Sequence, residues 1–135
     1  MKILIINGPN LNLLGKREPE IYGSVSMEDY LSRLEKDFPS EEILYYQSNV
    51  EGELINRLQE DDFEAVIINP GAFTHYSYAI SDCLRNINKP KIEVHISNIY
   101  KREDFRKKSV TAESCESVIS GFGMKGYQLA IQSLK

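Results

Sequence analysis

Residues 2–10 read KILIINGPN: a short apolar, β-branched run that breaks at Asn7-Gly8-Pro9-Asn10. Such a run, bounded by Gly-Pro, is the pattern of a strand buried on both faces. The same pattern recurs twice. Residues 65–75 read AVIINPGAFTH, and residues 91–98 read KIEVHISN. In a chain of alternating strands and helices these turns gather at the carboxyl edge of one parallel sheet, where open α/β sheets bind ligands. Segments more than 80 residues apart are therefore expected to share one site.

Between these runs the pattern alternates. Strands are predicted over 2–7, 43–48, 64–69, 91–96 and 117–120. Helices are predicted from a Ser26 cap to about Phe38, and over 51–60, 74–87 and 124–134, with a short helix at 102–108. The helix over 74–87 is expected to bury Tyr76, Ala79, Ile80, Cys83, Leu84 and Ile87. Residues 11–25 read as a long polar loop with Gly15, Pro19 and Gly23, and loops of that length are often lids or binding loops. The whole reads as α/β: one flavodoxin-like domain over residues 1–135, a three-layer sandwich around a five-stranded parallel sheet of order 2-1-3-4-5. The turns NGPN and NPGAFTH then flank the switch point between strands one and three.

Bulk properties narrow the function. A chain of 135 residues and 15.5 kDa suits one core and folds without disulfide or metal. Its net charge of −4 and pI near 5.2 argue against general nucleic-acid binding. The apolar run Ile3–Ile6 is too short for a signal peptide or a membrane span. Two distant cysteines, Cys83 and Cys115, make no metal pattern and fit free thiols in a reducing cytoplasm. The literal G-x-G-x-x-G at 121–126 (GFGMKG) has only nine residues after it, so the strand a dinucleotide fold requires cannot follow. It reads as a glycine turn between the last strand and the last helix. The first turn carries neither the acidic cluster of a receiver module nor the Ser/Thr/Gly phosphate loop of a flavin carrier.

Candidate chemistry lies on the same edge. The only two histidines, His75 and His95, both fall at predicted strand ends or turns there. The loop carries Arg17 five residues before Tyr22. Free tyrosine is a poor base near neutrality, but an adjacent guanidinium favours the phenolate. Tyr22 as base and His95 as acid make a pair matched to an elimination. The amides of Asn10 and Asn69 suit orientation of water or hydroxyls. The stretch 101–108 (KREDFRKK) carries a local +3 beside the His95 turn.

NGPNLNLLGKREPEIYG at 7–23, QSNVEGELI at 47–55, NPGAFTH at 69–75 and EVHISNIYKREDFRKKS at 93–109 resemble type II 3-dehydroquinate dehydratase, and the likeness runs to the terminal GFGMKGYQLAI. The resemblance implies loss of water from 3-dehydroquinate through an enol or enolate to 3-dehydroshikimate, a hydro-lyase step of the shikimate pathway that needs no cofactor and no metal. It implies that Tyr22 takes the proton with Arg17 as activator. Asn10 holds a water at the enolate oxygen, His95 protonates the departing hydroxyl, and Glu93 orients His95. Asn69, His75, Ile96, Ser97, Arg102 and Arg106 match substrate-binding positions. Asp82 matches an aspartate that reaches the site from a neighbouring subunit of a homododecamer, a tetramer of trimers. The chain departs from the usual pattern at Phe73, Tyr76, Tyr78 and Ser81, and along 110–119.

Overall fold

The computed structural model describes residues 1–16 and 25–135. Among the described residues, five strands form one parallel sheet: β1 (Lys2–Asn7), β2 (Glu42–Gln47), β3 (Ala65–Asn69), β4 (Lys91–His95) and β5 (Ser117–Ser120). Their order is β2-β1-β3-β4-β5, the doubly wound order expected from the sequence. In register, Ile5 lies between Tyr45 and Ile67, and Asn7 between Gln47 and Asn69. The last residues of β1 and β3 are therefore neighbours at the carboxyl edge.

Alternation along each strand divides the core into two clusters. Ile3, Ile5, Ile67, Ile92 and Val94 pack with α1 (Met27–Asp37) and α4 (Lys125–Ser133) through Leu34, Tyr127, Ala130 and Ile131. Leu4, Ile6, Val66 and Ile68 pack on the other face with α2 (Glu51–Gln59) and α3 (Tyr78–Arg85) through Leu54, Leu58, Ile80 and Leu84. Two helices on each face make the three layers. Each fully buried Ile or Leu contributes about 1.5–3 kcal/mol of transfer free energy. At the start of α1, Ser26 Oγ accepts the Asp29 N–H at 3.2 Å, with Glu28 and Asp29 in the first turn and Lys36 in the last.

Two predicted helices are corrected. The stretch 74–87 is not continuous. Residues Gly71–His75 form a 3-10 turn, the chain leaves helical geometry at Tyr76, and Ser77 caps α3 by accepting the Ile80 N–H at 3.0 Å. The buried face is shifted as a result: Thr74, Ser77, Ile80, Ser81, Cys83, Leu84 and Ile87 are buried, while Tyr76 and Ala79 are exposed. The stretch 102–108 is not one helix either. It is replaced by 3-10 turns at Ile99–Lys101 and Asp104–Arg106 with Arg102 extended between them. Asn98 sets the first of these by accepting the Tyr100 N–H at 3.0 Å. In the GFGMKG stretch, residues 121–124 form the turn joining β5 to α4, with Gly121 and Gly123 at positive φ.

At the switch point the turns after β1 and β3 interlock. Gly8 N–H donates to Asn69 O at 2.8 Å, and a Cβ built on Gly8 would stand 2.3 Å from the Pro70 carbonyl oxygen. A Cβ built on Gly71, at φ +61, would stand 3.2 Å from Pro9 Cδ and from the Pro9 carbonyl oxygen. We expect Gly8→Ala to be destabilised by at least about 2 kcal/mol, because backbone must move to admit the methyl. Thermal unfolding of the variant checks this; an unchanged Tm would show that the two turns tolerate separation.

Candidate functional site

A cavity of about 130 Å³ opens at this edge. That is close to the volume of an engineered cavity that accepts benzene, room for one six-membered ring. Its walls come from all three turns the sequence singled out. The turn after β1 gives Pro9, Asn10, Leu11, Leu13 and Leu14; that after β3 gives Asn69, Gly71, Ala72 and His75; that after β4 gives His95, Ile96, Ser97, Ile99, Arg102 and Arg106. The lining combines apolar side chains with two guanidinium groups, a mixture suited to a small ring bearing a carboxylate and hydroxyls.

The strand β4 shows how the acid–base side is built. Ile92 and Val94 point into the α1/α4 core, so Lys91, Glu93 and His95 all lie on the α2/α3 face. That face is apolar on β1 and β3. Lys91 Nζ donates to Ile87 O at 2.6 Å and pairs with Glu116 at 3.3 Å, which closes the far end of the strand. Glu93 has no exposed surface. Its Oε2 accepts from His95 Nε2 at 2.7 Å, from Ser109 Oγ at 2.8 Å and from Thr74 Oγ1 at 3.1 Å, and its Oε1 accepts from Thr111 Oγ1. Burial acts to raise the pKa of this carboxyl. The bond to His95 and its charge, together with the hydroxyls of Thr111 and Ser109, outweigh burial and hold the group below the ordinary glutamate value.

An ionised carboxylate can only accept, so His95 carries a proton on Nε2, and Nδ1 is the ring nitrogen not taken up by Glu93. His75 is held differently. Its Nδ1 lies 2.7 Å from Lys108 O, and a carbonyl only accepts, so Nε2 is the nitrogen left for the cavity. Phe105 packs edge-on against the His75 ring at 6.4 Å and lies under the Arg106 guanidinium at 4.9 Å. Arg106 Nε also pairs with Glu103 Oε2 at 3.1 Å. Asn10 sits in the left-handed region at φ 68, fixed by its N–H donating to Asn49 Oδ1 at 2.9 Å, and its exposed side chain lines the cavity.

Of the sequence-expected site residues, Asn10, Asn69, His75, His95, Ile96, Ser97, Arg102 and Arg106 come together around this cavity, with Glu93 directly behind His95. Asp82 lies on α3, exposed and 3.6 Å from Arg85, and does not line the cavity of its own chain. Arg17 and Tyr22 lie outside the described residues. Sequence reasoning missed the hydroxyl cage of Thr74, Ser109 and Thr111, and the leucines of LNLL, which belong to a stretch expected to be polar. The cage leaves no local signal, because its members are brought together only by the fold. Cys115 is no hidden nucleophile: burial first, then the charges of Glu93 and Glu116, push its thiol up to about 12. Among the described residues no group of three or more His, Cys, Asp and Glu side chains is placed to hold a metal ion.

The lowered pKa of Glu93 has a signed consequence. The unfolded chain binds a proton at about pH 4.3, and the folded chain only below that. Glu93 therefore contributes stability above the unfolded value, and this is lost as pH falls through the folded value. We expect Tm to fall below about pH 5 more steeply in the parent chain than in Glu93→Gln. Parallel thermal unfolding curves from pH 6 to 3 would contradict the charge assigned to Glu93.

Comparison with known proteins adds a separate finding. The sequence pattern of the family described as "Dehydroquinase class II" matches residues 1–135. The 3-dehydroquinate dehydratase of Thermotoga petrophila is 54% identical over 138 residues, which cover 100% of this chain and 95% of that protein. Among solved structures, the type II dehydroquinase of Butyrivibrio crossotus superposes with a TM-score of 0.95 at 49% identity, over 99% of this chain and 97% of the other. That of Propionibacterium acnes gives 0.94 at 42% identity, over 98% and 94%.

Proposed function

The chain belongs to the dehydroquinase class II family, and we propose how its residues carry out the dehydration of 3-dehydroquinate. Tyr22, as phenolate beside Arg17, removes the proton next to the ketone. The ketone itself takes up the developing charge, as an enolate oxygen. A water held by Asn10 donates to that oxygen, and His95 then gives a proton to the departing hydroxyl. Glu93 holds His95 by Nε2 and leaves Nδ1 for the proton transfer. Asn69, His75, Ile96 and Ser97 hold the substrate's hydroxyls and carboxylate, with Arg106 on a ring hydroxyl and Arg102 on the loop side.

The observation that carries this reading is the His95–Glu93 pair at 2.7 Å on the rim of a ring-sized cavity. The cavity also holds the neutral amides and the two arginines that the substrate's polar groups require. Preorganised donors aimed at the enolate oxygen supply the largest share of the rate, and each proton-transfer group contributes about 10²–10⁴-fold.

The same reading extends to assembly and location. Asp82 is exposed on α3, available to a neighbouring chain, and we assign it to the neighbour's site in a dodecamer made of four trimers. The thiols Cys83 and Cys115 are free, and no helix of the described residues is long and apolar enough to cross a membrane. Both facts suit a cytoplasmic enzyme.

Two tests follow. Purified protein added to 3-dehydroquinate in the presence of EDTA should produce the ultraviolet absorbance of the conjugated product, and Tyr22→Phe should lose at least about 100-fold in turnover while folding normally. A flat trace from the parent protein would refute the activity, and near-parental turnover in the variant would refute the base. Light scattering should give about 186 kDa, twelve chains of 15.5 kDa; a mass of one or two chains would remove the dodecamer.

A further inference from the structure

A chain of four side chains, three of them buried and the fourth half-buried, leads away from Asn69 in the cavity lining, and the polarity of every bond in it follows from one fixed donor. Gly71 N–H, which can only donate, lies 3.1 Å from Asn69 Oδ1. That places the oxygen of the Asn69 amide and leaves its nitrogen facing Tyr127 Oη at 3.1 Å. An amide nitrogen only donates, so the phenol oxygen accepts there and gives its own proton to Asn7 Oδ1 at 2.8 Å. Asn7 Nδ2 then donates to Tyr45 Oη at 3.3 Å. Asn7 and Asn69 are register partners at the ends of β1 and β3, 0% and 3% exposed, and Tyr127 is fully buried.

We propose that Tyr127 is a positioning residue for substrate binding: its hydroxyl holds one N–H of the Asn69 amide, so that the other N–H is presented to the cavity as a fixed donor. The inference rests on the reading of Asn69 as a substrate contact. Neither Tyr127 nor Asn7 lines the cavity, so both act only through Asn69. Burial pushes the Tyr127 phenol well above the usual tyrosine range, against the opposing bonds from Asn69 and Asn7. It therefore stays protonated at any working pH, and the polarity of the chain does not reverse. Without the hydroxyl, the Asn69 amide would lose a buried partner on one side and gain freedom to turn. The second N–H would then be presented to substrate for only part of the time, and binding would pay for fixing it.

Steady-state kinetics on the assembled protein separate the possibilities. Tyr127→Phe keeps the ring that fills the core and removes only the hydroxyl. It should raise KM for 3-dehydroquinate about three- to ten-fold, with kcat within about two-fold, as expected for loss of one oriented hydrogen bond. Asn7→Ala, which removes the acceptor that aligns the phenol proton, should move KM in the same direction. Tyr45→Phe removes a hydroxyl from the far end of the same chain and should lower Tm while leaving KM unchanged. Asn69→Ala should raise KM at least as much as Tyr127→Phe. If Asn69→Ala raises KM and neither Tyr127→Phe nor Asn7→Ala does, the positioning role is wrong while the reading of Asn69 stands. If Asn69→Ala leaves KM unchanged, Asn69 is no substrate contact and both fall. If Tyr45→Phe raises KM as much as Tyr127→Phe, the effect is general loosening, and positioning is again refuted.

Discussion

A carboxylate with no exposed surface is the constraint around which the catalytic edge is arranged. Taking a charge out of water costs several kcal/mol unless its oxygens are fully bonded. Glu93 meets that demand with donors from four positions: His95 on its own strand, Thr74 in the 3-10 turn after β3, and Ser109 and Thr111 beyond the basic segment. The same bonds that keep Glu93 ionised therefore tie two separate stretches of chain, the turn after β3 and residues 109–111, to the end of β4. They also decide which ring nitrogen of His95 is held by the carboxylate. Removing one donor would leave a charge both buried and underbonded, which is more costly than the loss of an ordinary hydrogen bond.

The rest of the site depends on how closely β1 and β3 approach where their turns diverge. Gly8 against Pro70 and Gly71 against Pro9 bring the two turns into backbone contact. This sets Asn10 and Asn69 on either side of the crevice at the topological switch point. Asn69 and its register partner Asn7 are bridged by Tyr127 from α4. The cavity thus has Asn69 and His95 in its lining, each held from behind by buried polar partners.

The fold was legible because the strands KILII and AVIIN are apolar on both faces, which only a sheet covered by helices on each side can satisfy. The glycine stretch at 121–126 was read as a turn into the last helix, and residues 121–124 form that turn. The helix over 74–87 was misjudged for an equally physical reason. Helical spacing from Tyr76 onward looked continuous, but Ser77 offers a cap and Thr74 is turned inward to Glu93. At the site, His75, His95, Asn10 and Asn69 were visible as polar residues punctuating apolar runs. Glu93 was assigned only by family resemblance, although the alternation of KIEVHIS, polar on one face of a strand buried on both, already marked it. The hydroxyl cage and Tyr127 were not legible, because their partners lie up to 120 residues away and nothing local distinguishes them.

The central claim is that proton removal and proton donation belong to different groups, Tyr22 and His95, acting in sequence through an enolate. Exchange of solvent deuterium into the carbon next to the ketone of 3-dehydroquinate, followed by NMR in His95→Ala and in Tyr22→Phe, separates the two steps. The account predicts that His95→Ala still exchanges this hydrogen while forming little 3-dehydroshikimate, and that Tyr22→Phe does neither. Equal loss of exchange and dehydration in His95→Ala would contradict it.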